Sequence, residues 1–221
     1  KVASASQKHP HIMASYINKG NAAFASSLRS EYIDKTGLIA VINDTLFTRN
    51  RFTCVSRCRR FGKSMAAEML CAYYDKSCDS RDLFRGLEIE CNPNFETHLN
   101  KYPVIYVDMT KFVTKYHGEK TIVEIIQRTL ISDLSEVYID VPVKQTDDLM
   151  DYLVRIAQQK GEPFVLIIDE WDAICREFEK DTRAMDTYVN LLRRMFKSSD
   201  AADVFAGVYL TGILPIKKYK T

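Results

Sequence analysis

No stretch of this 221-residue chain approaches the roughly 20 consecutive apolar residues that a membrane-spanning helix requires. Its first residues also lack the basic-then-apolar layout of a secretion signal. Six cysteines, at 54, 58, 71, 78, 91 and 175, include no C-x-x-C pair, and His9, His11, His98 and His117 add no metal-ligand spacing. That scatter suits a reducing cytoplasm in which cysteines act as small hydrophobes. Charge of one sign is lacking too: 31 basic residues face 29 acidic ones, for a net charge of +2. Bulk electrostatics therefore give no reason for nucleic-acid or membrane binding, and any DNA contact needs a local patch. Internal repeats and low-complexity segments are absent. The expectation is a soluble, cytoplasmic protein.

What is present suits one α/β domain. A hydrophobic content of 46% is enough to bury an ordinary core without staples. Residues 1–13 read as a disordered tail or a vector-derived leftover, and 14–221 as the domain. Asn18 to Asn21 (NKGN) reads as a turn and 22–28 as a short helix, whereas the apolar run 37–46 (GLIAVINDTL) suits helix or strand equally. From Phe52 the pattern sharpens. Strands are expected at 52–56, 104–108, 163–169 and 204–210. Between them, amphipathic spacing predicts helices at 63–75, 119–138, 147–159 and 183–197, with Gly161 ending the third. In the first of these helices Met65, Met69, Leu70 and Tyr73 would share one buried face. Alternating strands and helices imply a mostly parallel sheet covered on both faces, a three-layer sandwich.

Chemistry gathers at the ends of these strands. Gly62-Lys63-Ser64 follows a strand and opens a helix. A triphosphate needs backbone N–H groups wrapped around it, and a helix N-terminus supplies several together with the positive end of the dipole. Lys63 then offers a mobile charge for the outer phosphates and Ser64 a hydroxyl for Mg²⁺. The strict phosphate-loop pattern fails, because Arg57 stands where its first glycine belongs. By itself the triplet fits a solvated, helix-capping turn as well.

Val165 to Ile168 lead into Asp169 and Glu170. An acid at the carboxyl end of a buried parallel strand lies where such sheets bind ligands. Asp169 suits the Mg²⁺ shell, and Glu170 suits polarisation of a water against a γ-phosphate. The bland alternative is a strand that turns polar as it reaches solvent. Asp108 is a rival to Asp169, but no second acid follows it, and its strand is expected farther from the phosphate loop. Thr211, at the end of the last strand, suits contact with the γ-phosphate or the attacking water; ordinary turn chemistry accounts for it equally.

The loop Arg57-Cys58-Arg59-Arg60-Phe61 is dense in arginine, with Arg49 and Arg51 nearby. Guanidinium groups suit phosphate oxygens. Nucleotide contact by Arg59 and Arg60 ranks first, solvent exposure second and nucleic-acid backbone third. Phe61, Gly62, Lys63, Ser64 and Met65 complete the expected nucleotide-binding set. Cys58 stands beside the positive charges, where a lowered pKa would make it reactive. Trp171 reads as core.

The string SRCRRFGKSMAAEML (56–70) resembles the R-P-R-R-F-G-K-S signature of the bacterial AAA-ATPase-like family. Tyr32-Ile33-Asp34-Lys35-Thr36 matches that family's Y-[IV]-D-K-T motif. LIIDEWDAI (166–174) resembles its Walker B strand, LTGILPIKKY (210–219) its sensor strand, and YINKGN (16–21) its opening. The resemblance spans about residues 14 to 221. It accounts for Arg57, since the family carries arginine there, and departs at Cys58, where proline is usual. It implies an AAA-like fold that binds ATP and Mg²⁺ through Lys63, Ser64, Asp169 and Glu170. Members usually continue into a domain resembling PD-(D/E)XK nucleases, to which nothing here corresponds. AAA-like sheets also carry a fifth strand beyond the first, a helical lid and a catalytic arginine. The expectation is therefore a domain lacking its final strand and lid and weak in hydrolysis by itself. A further C-terminal domain, a protein partner or a neighbouring copy in a homo-oligomer would complete it and cover the free edge of the first strand.

Overall fold

The computed structural model describes residues 16–179 and 181–214. Part of the sensor-strand string and residues 1–13 lie outside the described residues. Four strands, β1 (Phe52–Ser56), β2 (Val104–Asp108), β3 (Phe164–Asp169) and β4 (Phe205–Gly212), form one all-parallel sheet in the order β1-β4-β3-β2. Ahead of β1 come helices α1 (Ala22–Leu28) and α2 (Gly37–Asn43); α3 (Lys63–Tyr74) and α4 (Phe95–His98) follow it. After β2 run α5 (Met109–Lys115), α6 (Ile122–Val137) and α7 (Leu149–Lys160). Between β3 and β4 lie α8 (Ala173–Glu177), α9 (Thr182–Lys197) and α10 (Ala201–Val204).

Side-chain alternation along the strands divides the core into two layers. Ile105, Val107, Leu166, Ile168, Val208 and Leu210 face one side, with α5 to α10. Val104, Tyr106, Val165, Ile167, Ala206 and Tyr209 face the other, with α1 to α3. Every residue of β3 is buried, as expected of a central parallel strand apolar on both faces. β1, the terminal strand, is half open to solvent.

Several elements differ from the sequence reading. The ambiguous run 37–46 is helical over Gly37–Asn43, where Ile39 and Ile42 reach the second core layer. Helix α3 is buried round most of its circumference, from Ala66 to Tyr74, rather than on one face; it runs between the sheet and α1. Met65 stays half-buried at its start. Val204 ends α10, and β4 runs on through Thr211 and Gly212 beside Val55 and Ser56. Gly161 caps α7 in the left-handed region, as expected.

The opening residues do more than turn. Tyr106 N–H donates to Tyr16 O at 2.8 Å and Asn18 N–H to Val104 O at 2.8 Å, an antiparallel pairing that covers the outer edge of β2. The Asn18 side chain accepts Val104 N–H at 2.9 Å, satisfying a second edge donor. No described helix is long and apolar enough to cross a membrane.

Candidate functional site

All strands are parallel, so their carboxyl ends share one edge, and the loops after β1, β2 and β3 meet there. Asp108 and Asp169 end β2 and β3 side by side in register. The loop after β1 returns over this edge and enters α3 at Gly62, whose φ of +70° is left-handed, a conformation costly for residues with a Cβ. Arg60, at φ +68°, adopts that region two residues earlier.

Between these loops lies a cavity of about 520 Å³, lined by Arg59, Arg60, Gly62, Lys63, Ser64, Met65, Asp108, Thr110, Asp169, Glu170 and Arg176. Four cationic side chains thus share the walls with three carboxylates. The Lys63 ammonium, almost fully buried, lies 3.2 Å from Glu170 Oε1 and donates to Cys58 O at 3.2 Å. Arg176 Nη2 reaches the other Glu170 oxygen at 2.6 Å. Glu170 is therefore held between two cations.

Glu170 has φ +52°, a strained value for a residue with a side chain. Thr211 holds the turn from behind. Its hydroxyl donates to Asp169 Oδ1 and accepts Glu170 N–H at 3.3 Å, and its carbonyl accepts Trp171 N–H at 2.8 Å. Thr211 is wholly buried and absent from the cavity wall. Burial pushes the Asp169 carboxyl above its ordinary pKa, with hydrogen bonds from Ser64 and Thr211 opposing and the charges of Asp108 and Glu170 adding to the rise.

Gly212 is required by what lies over it. An added Cβ would stand 2.6 Å from Trp171 Nε1 and 2.9 Å from Asp172 Oδ1. Buried Asp172 accepts Ile213 N–H at 3.1 Å and Leu214 N–H at 2.8 Å, and it faces Arg176 Nε at 3.5 Å. The chain after β4 is thereby tied to the turn after β3. Trp171 itself is core, its carbonyl accepting from Tyr188 Oη at 2.7 Å.

The fold thus gathers Arg59, Arg60, Gly62, Lys63, Ser64, Met65, Asp169 and Glu170 around one space. Phe61 instead points away from that cavity, 62% exposed, into a neighbouring one, and Cys58 is exposed. Arg176 escaped sequence reasoning. Its only signal was helical spacing: four residues after Asp172 and one turn into α8.

Motif Tyr32-Ile33-Asp34-Lys35-Thr36 acquires a structural role. Asp34 accepts Thr36 N–H at 2.8 Å and Glu88 N–H at 2.8 Å, fastening the start of α2 to the 3-10 turn Glu88–Cys91. From that anchor the Lys35 ammonium donates to Phe61 O at 2.7 Å. The motif straps the loop from outside.

Sheet, left-handed glycine at the mouth of α3, and paired acids after β3 define a P-loop domain of AAA-like architecture. Comparison of the sequence with family models agrees: the family described as predicted AAA-ATPase, AAA-ATPase-like, matches residues 25–220. The chain belongs to that family, and is a nucleotide-binding, ATPase-like module. Neither curated proteins nor solved structures returned a match.

Proposed function

We propose that the cavity between the β1 loop and the ends of β2 and β3 binds ATP with Mg²⁺, and that the chain hydrolyses it slowly, as a switch. The observation that carries this reading is the convergence of Lys63, Ser64, Asp169 and Glu170 on one cavity at the mouth of α3. Backbone N–H groups at the start of α3 suit the phosphates, with Lys63 and the Arg59 and Arg60 guanidiniums adding charge. The donor set fits the metal: the Ser64 hydroxyl and the Asp169 carboxylate, with Asp108 alongside, are hard oxygen ligands. Among the described residues no group of three His, Cys, Asp or Glu is assembled to hold a metal alone. Mg²⁺ bound with phosphates needs only one or two carboxylates, so this agrees with the reading. When bound, the ion would neutralise charge developing on the phosphates.

Glu170 is the candidate base, but in this structure Lys63 and Arg176 occupy both its oxygens. A phosphate drawing either cation away would free an oxygen to accept a proton from water. That exchange makes the resting chain a poor hydrolase and couples the Asp169 turn to α8, which is the basis for calling it a switch. Among the described strands β1 pairs with β4 alone, and its other edge is where a further strand, from a partner or the same polypeptide, would pair. Tracking of nucleic acid by the arginine loop is the weaker reading, because Arg59 and Arg60 line the cavity. Calorimetric titration with ATP, with and without Mg²⁺, tests the proposal. Mg²⁺-dependent binding that is lost in Asp169→Asn supports it, and no binding of either form rejects it.

A further inference from the structure

Two buried polar atoms beside the site have no hydrogen-bond partner among the described residues: Asp172 Oδ1 and Arg176 Nε. They belong to side chains that already face each other. Arg176 Nε stands 3.5 Å from Asp172 Oδ2, across one helical turn at the start of α8. Asp172 is fully buried. Buried donors and acceptors are nearly always satisfied, so a donor and an acceptor left over in one facing pair call for a reason. The reason lies with Glu170. Arg176 Nη2 donates to it at 2.6 Å, and Nε stops short of a hydrogen bond to Asp172. The guanidinium edge that carries Nε and Nη2 is thus split between two carboxylates.

We propose that Asp172 is the receiving acid for Arg176: as Glu170 is called on, the guanidinium moves from Glu170 to Asp172. Glu170 is then free to take a proton from water. The inference rests on the reading of Glu170 as the base and adds where its second cation goes. Under that reading phosphate draws Lys63 off one Glu170 oxygen, while Arg176 still holds the other. An arginine this far from solvent needs another partner before it can leave, because an unpaired charge is costly there. Asp172 lies within reach, and its two oxygens match the Nε and Nη2 edge as a bidentate pair. It does not line the phosphate cavity, so its role is that of a positioning residue.

The receiving acid is itself fixed. Its Oδ2 accepts Ile213 N–H at 3.1 Å and Leu214 N–H at 2.8 Å. Gly212 leaves room for Oδ1, from which an added Cβ would stand 2.9 Å. The acid therefore stays still while the arginine moves.

The test is a double-mutant cycle in the parent, Asp172→Asn, Arg176→Ala and the double variant, read by phosphate release at saturating Mg²⁺-ATP. Asn keeps an oxygen for Ile213 and Leu214 but loses the charge that receives Arg176. Asp172→Asn should lose about tenfold or more in turnover, the worth of one charge-assisted hydrogen bond, with calorimetric ATP affinity unchanged. Once Arg176 is absent, Asp172→Asn should cost nothing further, since no cation has to move. Equal losses in both backgrounds, or an Asp172→Asn protein as active as the parent, would overturn the transfer and leave Glu170 as the base. If either substitution melts below the assay temperature, Asp172→Ser and Arg176→Gln stand in for it. A parent that releases no phosphate would remove the base reading, and this inference with it.

Discussion

Lys63 Nζ stands 3.2 Å from Glu170 Oε1, so the cation proposed to meet phosphate is paired, in this structure, with the acid proposed to activate water. The pair is almost dry on the lysine side. Its cost of desolvation is offset because Arg176 and the Cys58 carbonyl share the remaining valences. Charge that is already paired can be exchanged for a ligand at modest net cost. An unpaired buried lysine would instead have destabilised the fold.

Lys63→Ala removes charge-assisted bonds to the outer phosphates, each worth about 1.5–3 kcal/mol. ATP affinity should fall by about an order of magnitude or more. Because Arg176 still neutralises Glu170, the fold should hold. Calorimetry together with a melting curve checks both halves; unchanged affinity would show that the loop does not cradle phosphate.

Glu170→Gln keeps the shape of the side chain and loses the base. Turnover should drop by roughly 10²–10⁴ while ATP binding persists. Arg176→Ala frees one oxygen of Glu170 and removes a cation from the wall. It should change turnover more than affinity if the arginine restrains the base. Phosphate release at saturating ATP measures each, and a Glu170→Gln protein as active as its parent would remove the base from Glu170.

The strap beneath the loop can be cut at a distance. Asp34 accepts from Thr36 N–H, Thr36 Oγ1 and Glu88 N–H at 2.7–2.8 Å. Burial raises its pKa, but these bonds outweigh that and hold it below the ordinary value. Asp34→Ala should cost about 1–2 kcal/mol, or about 2–8 °C in Tm for a chain of this size. ATP affinity should weaken as well, since Lys35 loses its anchor beside Phe61. A Tm within a degree of the parent would show that the motif is not structural.

Gly62→Ala forces a side chain into the left-handed region at φ +70°, at a cost of about 1–2 kcal/mol. Its Cβ would also stand 2.6 Å from Lys35 Nζ. The lysine end can move, so strain dominates the stability loss, while displacement of Lys35 loosens the loop. Tm and ATP affinity should fall together; loss of neither would contradict the left-handed turn.

His98 gives a pH signature unrelated to the site. Burial lowers its pKa, and its Nδ1 lies 2.7 Å from Tyr102 Oη. The unfolded chain then binds the proton more readily than the folded one. Stability is full above the unfolded value of about 6.5 and declines as pH falls through it toward the folded value. The parent Tm should therefore drop more steeply between pH 7 and 5 than that of His98→Asn. Parallel curves would refute the shift.

Local pattern alone determined most of the long elements from Phe52 onward. The apolar runs of β2 and β3, the periodicity of α6, α7 and α9, and the placing of Gly62-Lys63-Ser64 and Asp169-Glu170 at strand ends are properties of neighbouring residues, so the sequence shows them directly. What needs contacts between distant residues did not show. Gly37–Asn43 is a helix because Ile39 and Ile42 find a core layer, a choice that periodicity in ten residues cannot make. Thr211 proved to lie behind Asp169 rather than on the cavity wall, because β4 continues past Leu210 and turns that side chain inward. Arg176 meets Glu170 only because the turn after β3 leads into α8, which packs against α5 and α9. Lys35 reaches Phe61 across 26 residues. Strand ends and glycines are written in short range, whereas partners across a sheet edge depend on the order β1-β4-β3-β2, which only the tertiary structure decided.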